Sequence, residues 1–315
     1  MENYVNPINL ESVHIMIVGD IMLDRYWFGE VNRISPEAPV PIIKVEKKEE
    51  RLGGAANVAR NVASLSANAC LLGIIGHDEA GNEVENLLKK SGISTYLHRD
   101  ASISTIVKLR LIGRQQQLLR VDFEAPPAQT VLDDKMTQYK QLLANYDVVV
   151  LSDYAKGSLT HVADMISIAK KAGKPVLIDP KGDDFTPYIG ATMLTPNKAE
   201  LRHVVGSWKN EEDLARRAQA LREELKLKYL LLTRSEEGMS LYSADGIIHI
   251  PTQAQEIYDV SGAGDTVIAT VATMLGAGKK IEDAISIANR AAGIVVNKLG
   301  TATVSQEELF SKKNN

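Results

Sequence analysis

Short apolar runs alternate along the chain with longer segments in which apolar residues recur at helical spacing. The short runs are rich in Val, Ile and Leu, as buried strands are, and the longer segments are typical of amphipathic helices. The predicted strands are 14–18, 69–75, 147–151, 175–179, 229–233 and two short ones near Ser240 and Ile248. The predicted helices are 55–65, 79–91, 161–172, 197–205, 211–225, 263–275 and 281–299. This alternation predicts an α/β fold, with a mainly parallel sheet between helices, in a single domain over 1–315.

Two stretches break the alternation. Residues 31–45 contain three prolines among β-branched residues, and residues 104–123 alternate apolar and polar positions around a Gly-Arg pair. Both stretches predict β-hairpins outside the main layers. We therefore expect a small β lid, built from about 25–50 and 104–123, that could cover a site or form an oligomer surface. The polar segment 305–315 is expected to fray.

The composition is that of a soluble globular protein, with 44% apolar and 24% charged residues among 315. The net charge of −4 argues against a nucleic-acid partner, because such proteins present basic surfaces. Cys70 is the single cysteine, so no intramolecular disulfide can form, which favours a reducing, cytoplasmic location. Residues 1–10 do not resemble a signal peptide and no apolar run could span a membrane, so we expect no membrane partner.

A glycine-rich motif, Gly262-Ala263-Gly264-Asp265, opens the predicted helix 263–275. Glycine permits unusual backbone angles and close approach by a ligand. The N–H groups at a helix start, with the positive end of the helix dipole behind them, form a site suited to phosphate. A carboxylate at this place, Asp265, could take a proton from an attacking hydroxyl. An ordinary helix cap explains the same residues equally well.

A second motif of small residues, Gly53-Gly54-Ala55-Ala56-Asn57, opens the predicted helix 55–65. Small residues let a ligand hydroxyl reach the backbone, and Asn57 offers both a hydrogen-bond donor and an acceptor. A tight turn followed by close helix packing is the alternative.

The third motif is Asn197-Lys198-Ala199-Glu200, at the start of another predicted helix. Asn197 and Glu200 share one face of that helix because they are three residues apart. An acidic group there can hold Mg²⁺ through water, since Mg²⁺ keeps much of its hydration. The alternative is a capping box, in which the two side chains only satisfy the helix start.

Three aspartates, Asp20, Asp153 and Asp179, follow predicted strands. Ligands of parallel sheets bind beyond the carboxyl ends of the strands, so these positions suit a functional site. Aspartate also forms turns at such places, and the sequence leaves both interpretations open.

The three motifs, in this order, resemble those of the ribokinase family (PfkB-type carbohydrate kinases) over roughly 13–303. The resemblance implies a three-layer α/β/α core with a small β lid, and ATP and Mg²⁺ as cofactors. It implies that Asp265 is the catalytic base and that the N–H groups of Gly262, Ala263 and Gly264 form an anion hole. The implied nucleotide-binding residues are Asn197, Lys198, Ala199, Glu200, Arg234, Gly238 and Asn289, with Glu200 holding the metal through water.

The resemblance also implies a sugar site that uses Asp24 or Asp20. Asp24 is favoured, because the sugar-binding acid of the family follows the first strand by a few residues. The other implied sugar-binding residues are Gly53, Gly54, Asn57 and Asp153. A phosphorylated sugar needs local cations, for which the candidates are Lys108, Arg110, Arg114 and Arg120 on the lid, and Lys156. A solvated strand edge guarded by charge is the alternative for these cations.

Two further strings, 19–27 and 33–41, resemble one branch of this family, the D-glycero-β-D-manno-heptose 7-phosphate kinases. Because the chain contains no His-x-Gly-His signature of a fused adenylyltransferase, it resembles the stand-alone form. This resemblance implies phosphorylation of the anomeric 1-hydroxyl to give the 1,7-bisphosphate, for ADP-heptose and lipopolysaccharide synthesis. The alternatives are a family member acting on another sugar and a catalytically silent sugar- or nucleotide-binding regulator. Exposed lid strands favour a homodimer.

Overall fold

Strands and helices alternate through the computed structural model, which describes residues 9–114, 116–253, 258–298 and 300–311. The strands are β1 (His14–Gly19), β2 (Ile21–Ile34), β3 (Pro41–Gly54), β4 (Asn68–Gly76), β5 (Ser94–Asp100), β6 (Ile106–Gly113), β7 (Gln116–Phe123), β8 (Val148–Ser152), β9 (Val176–Asp179), β10 (Met193–Leu194), β11 (Tyr229–Thr233), β12 (Met239–Ser243) and β13 (Gly246–Ile250). The helices are α1 (Ala55–Ser64), α2 (Glu79–Lys90), α3 (Gln129–Leu142), α4 (Val162–Lys171), α5 (Lys198–Val205), α6 (Glu211–Glu224), α7 (Ala263–Gly276), α8 (Ile281–Val295) and α9 (Gln306–Phe310).

The large sheet has nine strands within these ranges, in the order β13-β12-β11-β10-β9-β8-β1-β4-β5. Neighbours from β11 to β5 are parallel, and only β12 and β13 join in antiparallel fashion. In the central strand β1, Ile15 and Ile17 face one apolar layer, whereas Met16 and Val18 face the other. Strands buried on both faces are continuously apolar, which is the pattern the sequence shows.

Helices cover both faces of this sheet. Apolar residues of α1, α2, α7 and α8 pack in the first layer, and those of α3, α4, α5 and α6 pack in the second. The predicted three-layer α/β/α core is therefore confirmed. Its parallel strands all end at one edge, where loops can gather side chains into a site.

A second sheet, in the order β3-β2-β6-β7, forms the lid. Strand β2 pairs antiparallel with β3 and parallel with β6, which pairs antiparallel with β7. The lid strands run further than predicted, since β2 and β3 reach inward to Ile21 and Gly54. Strand alternation sorts the lid residues onto two faces. The register places Asp24, Tyr26, Arg51, Lys108, Arg110, Arg120 and Asp122 on one face, called here the charged face.

Apart from α9, the strands and helices that were not predicted are β5, α3 and the two-residue β10. The apolar pattern of α3 is obscured because the helix buries Lys135 among Leu132, Met136 and Tyr139. The predicted last long helix ends at Val295 instead of continuing to 299, which lies outside the described residues.

The tail was expected to fray, but it forms the short helix α9. Ser305 and Glu308 form a reciprocal capping box at its start, and Leu309 is fully buried in the first apolar layer. The prediction is therefore wrong for residues 305–311, whereas 312–315 lie outside the described residues. Among the helices that the structure describes, none combines the length and apolarity needed to cross a membrane.

Candidate active site

The start of α7 presents backbone donors at the strand-end edge of the large sheet, although the N–H of Ala263 already donates to the carbonyl of Val260 at 3.2 Å. Gly262, the residue before the helix, is left-handed with a φ of 78°, and no side chain caps the helix start. A Cβ on Gly262 would lie 2.8 Å from Asn57 Nδ2, so only glycine fits there. A Cβ on Gly264 would have no atom within 4 Å, so the space in front of the helix is open. The uncapped N–H groups and the dipole therefore provide a place for phosphate.

Asp265 lies in the first turn of α7 and accepts two hydrogen bonds. Asn57 Nδ2 donates to its Oδ2 at 2.7 Å, and the Tyr154 hydroxyl donates to its Oδ1 at 3.0 Å. Burial raises the pKa of Asp265 to about 6 even though both hydrogen bonds lower it, and the charge of Asp24 adds to the rise. A carboxylate with a pKa close to physiological pH is suited to accept a proton. Its contacts are not those of a simple helix cap.

Asp259 fixes the loop before α7. Its Oδ1 accepts from the N–H of Ser261 and its Oδ2 from the N–H of Gly300, both at 2.8 Å. Although burial disfavours the charge, these donors and nearby Arg51 lower the pKa of Asp259. Asp259 is thus a stable anion that holds the glycine-rich segment in place.

Asp20 does not contact the site in the way predicted. Its Oδ2 accepts from the N–H groups of Tyr154 at 2.9 Å and Lys156 at 3.0 Å, and its Oδ1 accepts from that of Ser158 at 3.0 Å. The residue is fully buried. The prediction that Asp20 binds sugar is corrected, because its carboxylate faces and holds the loop after β8.

Asp24, the favoured sugar-binding residue, lies on β2 at the base of the charged face. Arg110 Nη1 is 2.5 Å from its Oδ1. A Cβ on Gly53 would lie 2.5 Å from Asp24 Oδ2, so the glycine is needed for the carboxylate to sit beside β3. Gly54, with a φ of 58°, turns the chain directly into α1 and Asn57. The structure thus brings Asp24, the two glycines and Asn57 together.

Asp153 and Asp179 lie close to each other, and Asp179 also lies close to Asp265. The Tyr188 hydroxyl donates to Asp153 Oδ2 at 2.8 Å, and burial raises the pKa of Asp153. Burial also raises the pKa of Asp179 well above its usual value, and the charge of Asp265 contributes to that rise. Of the three predicted strand-end aspartates, Asp179 therefore lies near the candidate base, whereas Asp153 contacts Tyr188 and the loop after β8.

The predicted cations lie at different distances from this site. Arg110 is tied to Asp24 and packs on the Tyr26 ring, with its guanidinium carbon 5.0 Å from the ring centre. Burial lowers the pKa of Lys108, to which the nearby charges of Arg120 and Lys156 contribute. Arg114 donates to the carbonyl of Val31 at the far end of the lid, away from Asp24.

Arg51, which was not among the predicted cations, faces Tyr26 as well. Its guanidinium carbon is 4.9 Å from the ring centre. The pairing of β2 with β3 places Arg51 opposite Asp24. Recognising a strand at Arg51, and its pairing with the strand that carries Asp24, could have indicated this contact from the sequence.

The third motif forms the capping box that was its structural alternative. Asn197 Oδ1 accepts from the N–H of Glu200 at 2.9 Å, and Glu200 Oε2 accepts from the N–H of Asn197 at 3.0 Å. Lys181 Nζ is 2.8 Å from Glu200 Oε1. Lys198 pairs with Glu237, so its ammonium is already neutralised.

Two further residues predicted to contact the nucleotide, Arg234 and Asn289, form hydrogen bonds within the protein. Arg234 is buried and bonds to Glu211 and Glu237, with four nitrogen–oxygen distances between 2.6 and 2.9 Å. Its predicted contact with ATP is corrected, because the guanidinium has no free donor face. Asn289 Nδ2 donates to the carbonyl of Pro251 at 2.7 Å and holds the chain that follows β13. A Cβ on Gly238, whose φ is 91°, would overlap the carbonyl of Ile250, so this glycine permits a close strand approach.

The site thus combines a buried carboxylate, a helix start without a side-chain cap and a small β sheet joined to a three-layer α/β/α core. The chain matches the model of the pfkB family carbohydrate kinases over residues 13–308 and belongs to this family. The family resemblance found in the three motifs is thereby confirmed.

Relatives of known name are similar over nearly the whole chain. A D-beta-D-heptose 7-phosphate kinase of Bordetella bronchiseptica is 55% identical over 300 residues, which cover 95% of this chain and 96% of that protein. The bifunctional protein HldE of Methylococcus capsulatus is 52% identical over 296 residues, which cover 94% of this chain but only 63% of that protein.

Solved structures agree on the fold. Arabidopsis thaliana ribokinase, complexed with ribose and ATP, superposes with a TM-score of 0.77 at 22% identity, covering 94% of this chain and 97% of that one. Phosphofructokinase-2 from Escherichia coli superposes with a TM-score of 0.79 at 18% identity, covering 94% and 96%.

Proposed function

We propose that this protein is an ATP- and Mg²⁺-dependent kinase that phosphorylates the anomeric 1-hydroxyl of D-glycero-β-D-manno-heptose 7-phosphate. The observation that carries the proposal is the position of Asp265, a buried carboxylate with raised pKa, at the uncapped start of α7. The similarity to the Bordetella kinase supports the choice of sugar. In this proposal the enzyme works in the cytoplasm and supplies ADP-heptose synthesis for lipopolysaccharide.

Asp265 takes the proton of the 1-hydroxyl as its oxygen attacks the γ-phosphorus of ATP. The bond between the γ-phosphorus and the bridging oxygen breaks, and ADP leaves with the electron pair. The N–H groups of Gly262 and Gly264 stabilise the charge on the moving phosphoryl group, whereas the N–H of Ala263 already donates to the carbonyl of Val260. Positioning and electrostatic stabilisation supply most of the rate in such transfers.

The sugar hydroxyls bind between Asp24 and Asn57. Asn57 is fully buried, and its Oδ1 has no hydrogen-bond partner in the described part of the chain. A buried acceptor without a donor costs free energy, and a sugar hydroxyl would remove that cost. Gly53 makes room for the Asp24 carboxylate and Gly54 turns the chain toward Asn57, so both glycines shape the space between these two side chains.

The 7-phosphate binds at the charged face of the lid. Lys108 is half-buried and, within the described ranges, no side chain hydrogen-bonds or ion-pairs with its ammonium. Arg120 and Lys156 lie near the same space, but Arg120 pairs with Asp122 at 2.9 Å and Lys156 with Glu124 at 2.6 Å, so a phosphate would compete with these carboxylates. Arg110 is held by Asp24, and Asp153 supports the loop that carries Lys156. Cations that lower one another's proton affinity attract a dianion strongly.

The nucleotide binds between the start of α7 and the start of α5, with the backbone of Lys198, Ala199 and Gly238 and the side chain of Asn289 lining its path. No group of three metal-binding side chains is found in the described part of the chain. Glu200 fits a metal held through water, because each carboxylate oxygen accepts more than one hydrogen bond. Mg²⁺ would neutralise charge on the ATP phosphates.

The value of kcat/KM is expected to fall below about pH 6, by about tenfold for each pH unit. Asp265 must be ionised to accept a proton, and its pKa of about 6 sets the midpoint. Because a sugar phosphate also titrates near pH 6, the profile is measured with the unphosphorylated heptose. A flat profile down to pH 5 would show that a different group is the base.

The substrate is tested by ADP release with Mg-ATP and heptose 7-phosphate, ribose or fructose 1-phosphate. The proposal predicts the highest kcat/KM for heptose 7-phosphate. Preference for another sugar would support the kinase activity but would show that heptose 7-phosphate is not the substrate. Thermal stabilisation by sugar and ATP without ADP release would favour a catalytically silent regulator.

The lid is expected to hold two copies together as a homodimer. On the face opposite the charged one, strand pairing aligns Trp27, Leu111 and Leu119, and Leu119 is 54% exposed. Exposed apolar patches of this kind mark interaction surfaces.

Leu119→Lys is therefore expected to give a monomer in light scattering at micromolar concentration. The control is Ile189→Lys, which changes an exposed apolar residue outside the lid. A wild-type monomer, or an unchanged dimer in Leu119→Lys, would refute this assembly.

A further inference from the structure

We propose that Tyr154 is a positioning residue for the catalytic base: its hydroxyl orients the carboxylate of Asp265 and keeps it in the ionised form. This inference rests on the proposed function, in which Asp265 accepts the sugar proton. Tyr154 belongs to none of the three motifs, and it reaches the site from the loop that follows β8.

The two donors to Asp265 come from different parts of the fold. Asn57 on α1 binds Oδ2, and Tyr154 binds Oδ1. One donor on each oxygen fixes the plane of the carboxylate and leaves further lone pairs for the substrate hydroxyl. Without Tyr154, only Asn57 would restrain the rotation of this side chain.

Buried side chains hold the loop that carries Tyr154 by hydrogen bonds to its backbone. Asp20 accepts hydrogen bonds from the N–H groups of Tyr154, Lys156 and Ser158, at 2.9, 3.0 and 3.0 Å. The buried Lys135 donates from its Nζ to the carbonyl of Ser158. Burial lowers the pKa of Lys135 to about 8, while the charge of Asp20 opposes this. A loop tied by buried charged groups can hold the phenol at a constant distance from Asp265.

The loop backbone also takes a conformation that needs this support. Ala155 has a φ of 55°, which is unfavourable for a residue with a side chain. Its N–H donates to Asp153 Oδ1 at 2.7 Å. The turn that directs Tyr154 toward α7 therefore contains an unfavourable backbone conformation, which the surrounding hydrogen bonds stabilise.

The surroundings of Asp265 disfavour its charged form, because burial and the charge of Asp24 both raise its pKa. Asp24 on β2 and Asp179 at the end of β9 are acidic groups near Asp265: the charge of Asp24 raises the pKa of Asp265, and the charge of Asp265 raises the pKa of the buried Asp179. Burial raises the pKa of Tyr154 well above its usual value, as do the charges of Asp265 and Asp179, so the phenol keeps its proton at every working pH. The hydroxyl therefore remains a donor and favours the ionised carboxylate.

Tyr154→Phe is expected to move the acidic midpoint of kcat/KM upward by about one pH unit, since one hydrogen bond to a charged group is lost. At pH 8 the base is again ionised, and kcat is expected within about tenfold of the wild type. The matched control is Tyr139→Phe, which removes a buried phenol hydrogen bond to the carbonyl of Met165 on the far side of the sheet. Both variants lose stability, but only Tyr154→Phe shifts the midpoint.

The shift between variant and wild type does not depend on the titration of the substrate, because both are measured with the same sugar. An unchanged midpoint in a folded Tyr154→Phe protein would overturn the inference. If that variant does not fold, 3-fluorotyrosine placed at position 154 is a more acidic donor of nearly the same size. It should lower the midpoint, and a midpoint that stays or rises would overturn the inference.

A direct titration separates this inference from the proposed function. Carboxyl ¹³C NMR of protein labelled at aspartate, compared with Asp265→Asn, identifies the Asp265 signal. Its midpoint is expected to rise in Tyr154→Phe by the same unit or so. If the wild type turns over none of the sugars but the midpoint moves, the proposed function fails and the positioning role stands. If turnover is normal and the midpoint is unmoved, the positioning role fails alone.

Discussion

Asp265→Asn is expected to lower kcat by at least ~10²-fold, the usual scale for the loss of a positioned base. An amide cannot take the proton of the sugar hydroxyl, so about 3 kcal/mol of transition-state stabilisation disappears. ATP affinity should be kept, because the N–H groups of Gly262 and Gly264 come from the backbone. The measurement is single-turnover phosphoryl transfer at saturating ATP and sugar.

The matched control is Asp283→Asn, the same change in the first turn of the neighbouring helix α8, where the side chain is exposed. This variant should retain wild-type turnover, which separates proton transfer from the loss of an acidic group at a helix start. Near-normal turnover in Asp265→Asn would remove Asp265 from the role of base.

Lys108→Met is expected to lower kcat/KM for heptose 7-phosphate by about 10²-fold, since a charged hydrogen bond contributes about 1.5–3 kcal/mol. The methionine keeps the apolar stem on the lid strand but removes the ammonium that would meet the phosphate. The value for the unphosphorylated heptose should stay within about threefold, because Lys108 is not assigned to any sugar hydroxyl. The ratio of the two kcat/KM values is the quantity to measure.

Lys44→Met, on the exposed part of β3, serves as the control for this experiment. It makes the same change on the lid, away from Asp24, and should leave the ratio unchanged. An equal loss for both sugars in Lys108→Met would mean that Lys108 only supports the lid. No loss for either sugar would place the 7-phosphate elsewhere.

Much of the fold could be predicted because its signals are local. The strands β1, β8 and β9 are apolar runs of four to six residues, and α1 and α7 begin at glycine-rich turns. Such patterns depend only on neighbouring residues. Helix α3 was not predicted, because it buries Lys135 where the sequence pattern requires an apolar residue. The charges that compensate Lys135, Asp20 and Asp153, are distant in sequence.

The candidate site was harder to predict, because its contacts join distant segments. Tyr154 and Asp265 are 111 residues apart, and no local pattern links them. Asp20 and Asp24 both follow β1, but only the folded chain shows that Asp20 faces the loop after β8, whereas Asp24 faces Gly53 and Arg110. The sequence offered residue types suited to the chemistry, while long-range hydrogen bonds decide which of them can face a ligand.

The central claim is that phosphate passes from ATP to the anomeric hydroxyl of a sugar 7-phosphate with Asp265 as base. Its most direct test is ³¹P NMR of the reaction of Mg-ATP with D-glycero-β-D-manno-heptose 7-phosphate, run with the wild type and with Asp265→Asn. The account predicts a new phosphate signal coupled to the anomeric proton, formed together with ADP by the wild type and nearly absent with the variant. Phosphate at another position, inorganic phosphate alone, or equal product from both proteins would contradict it.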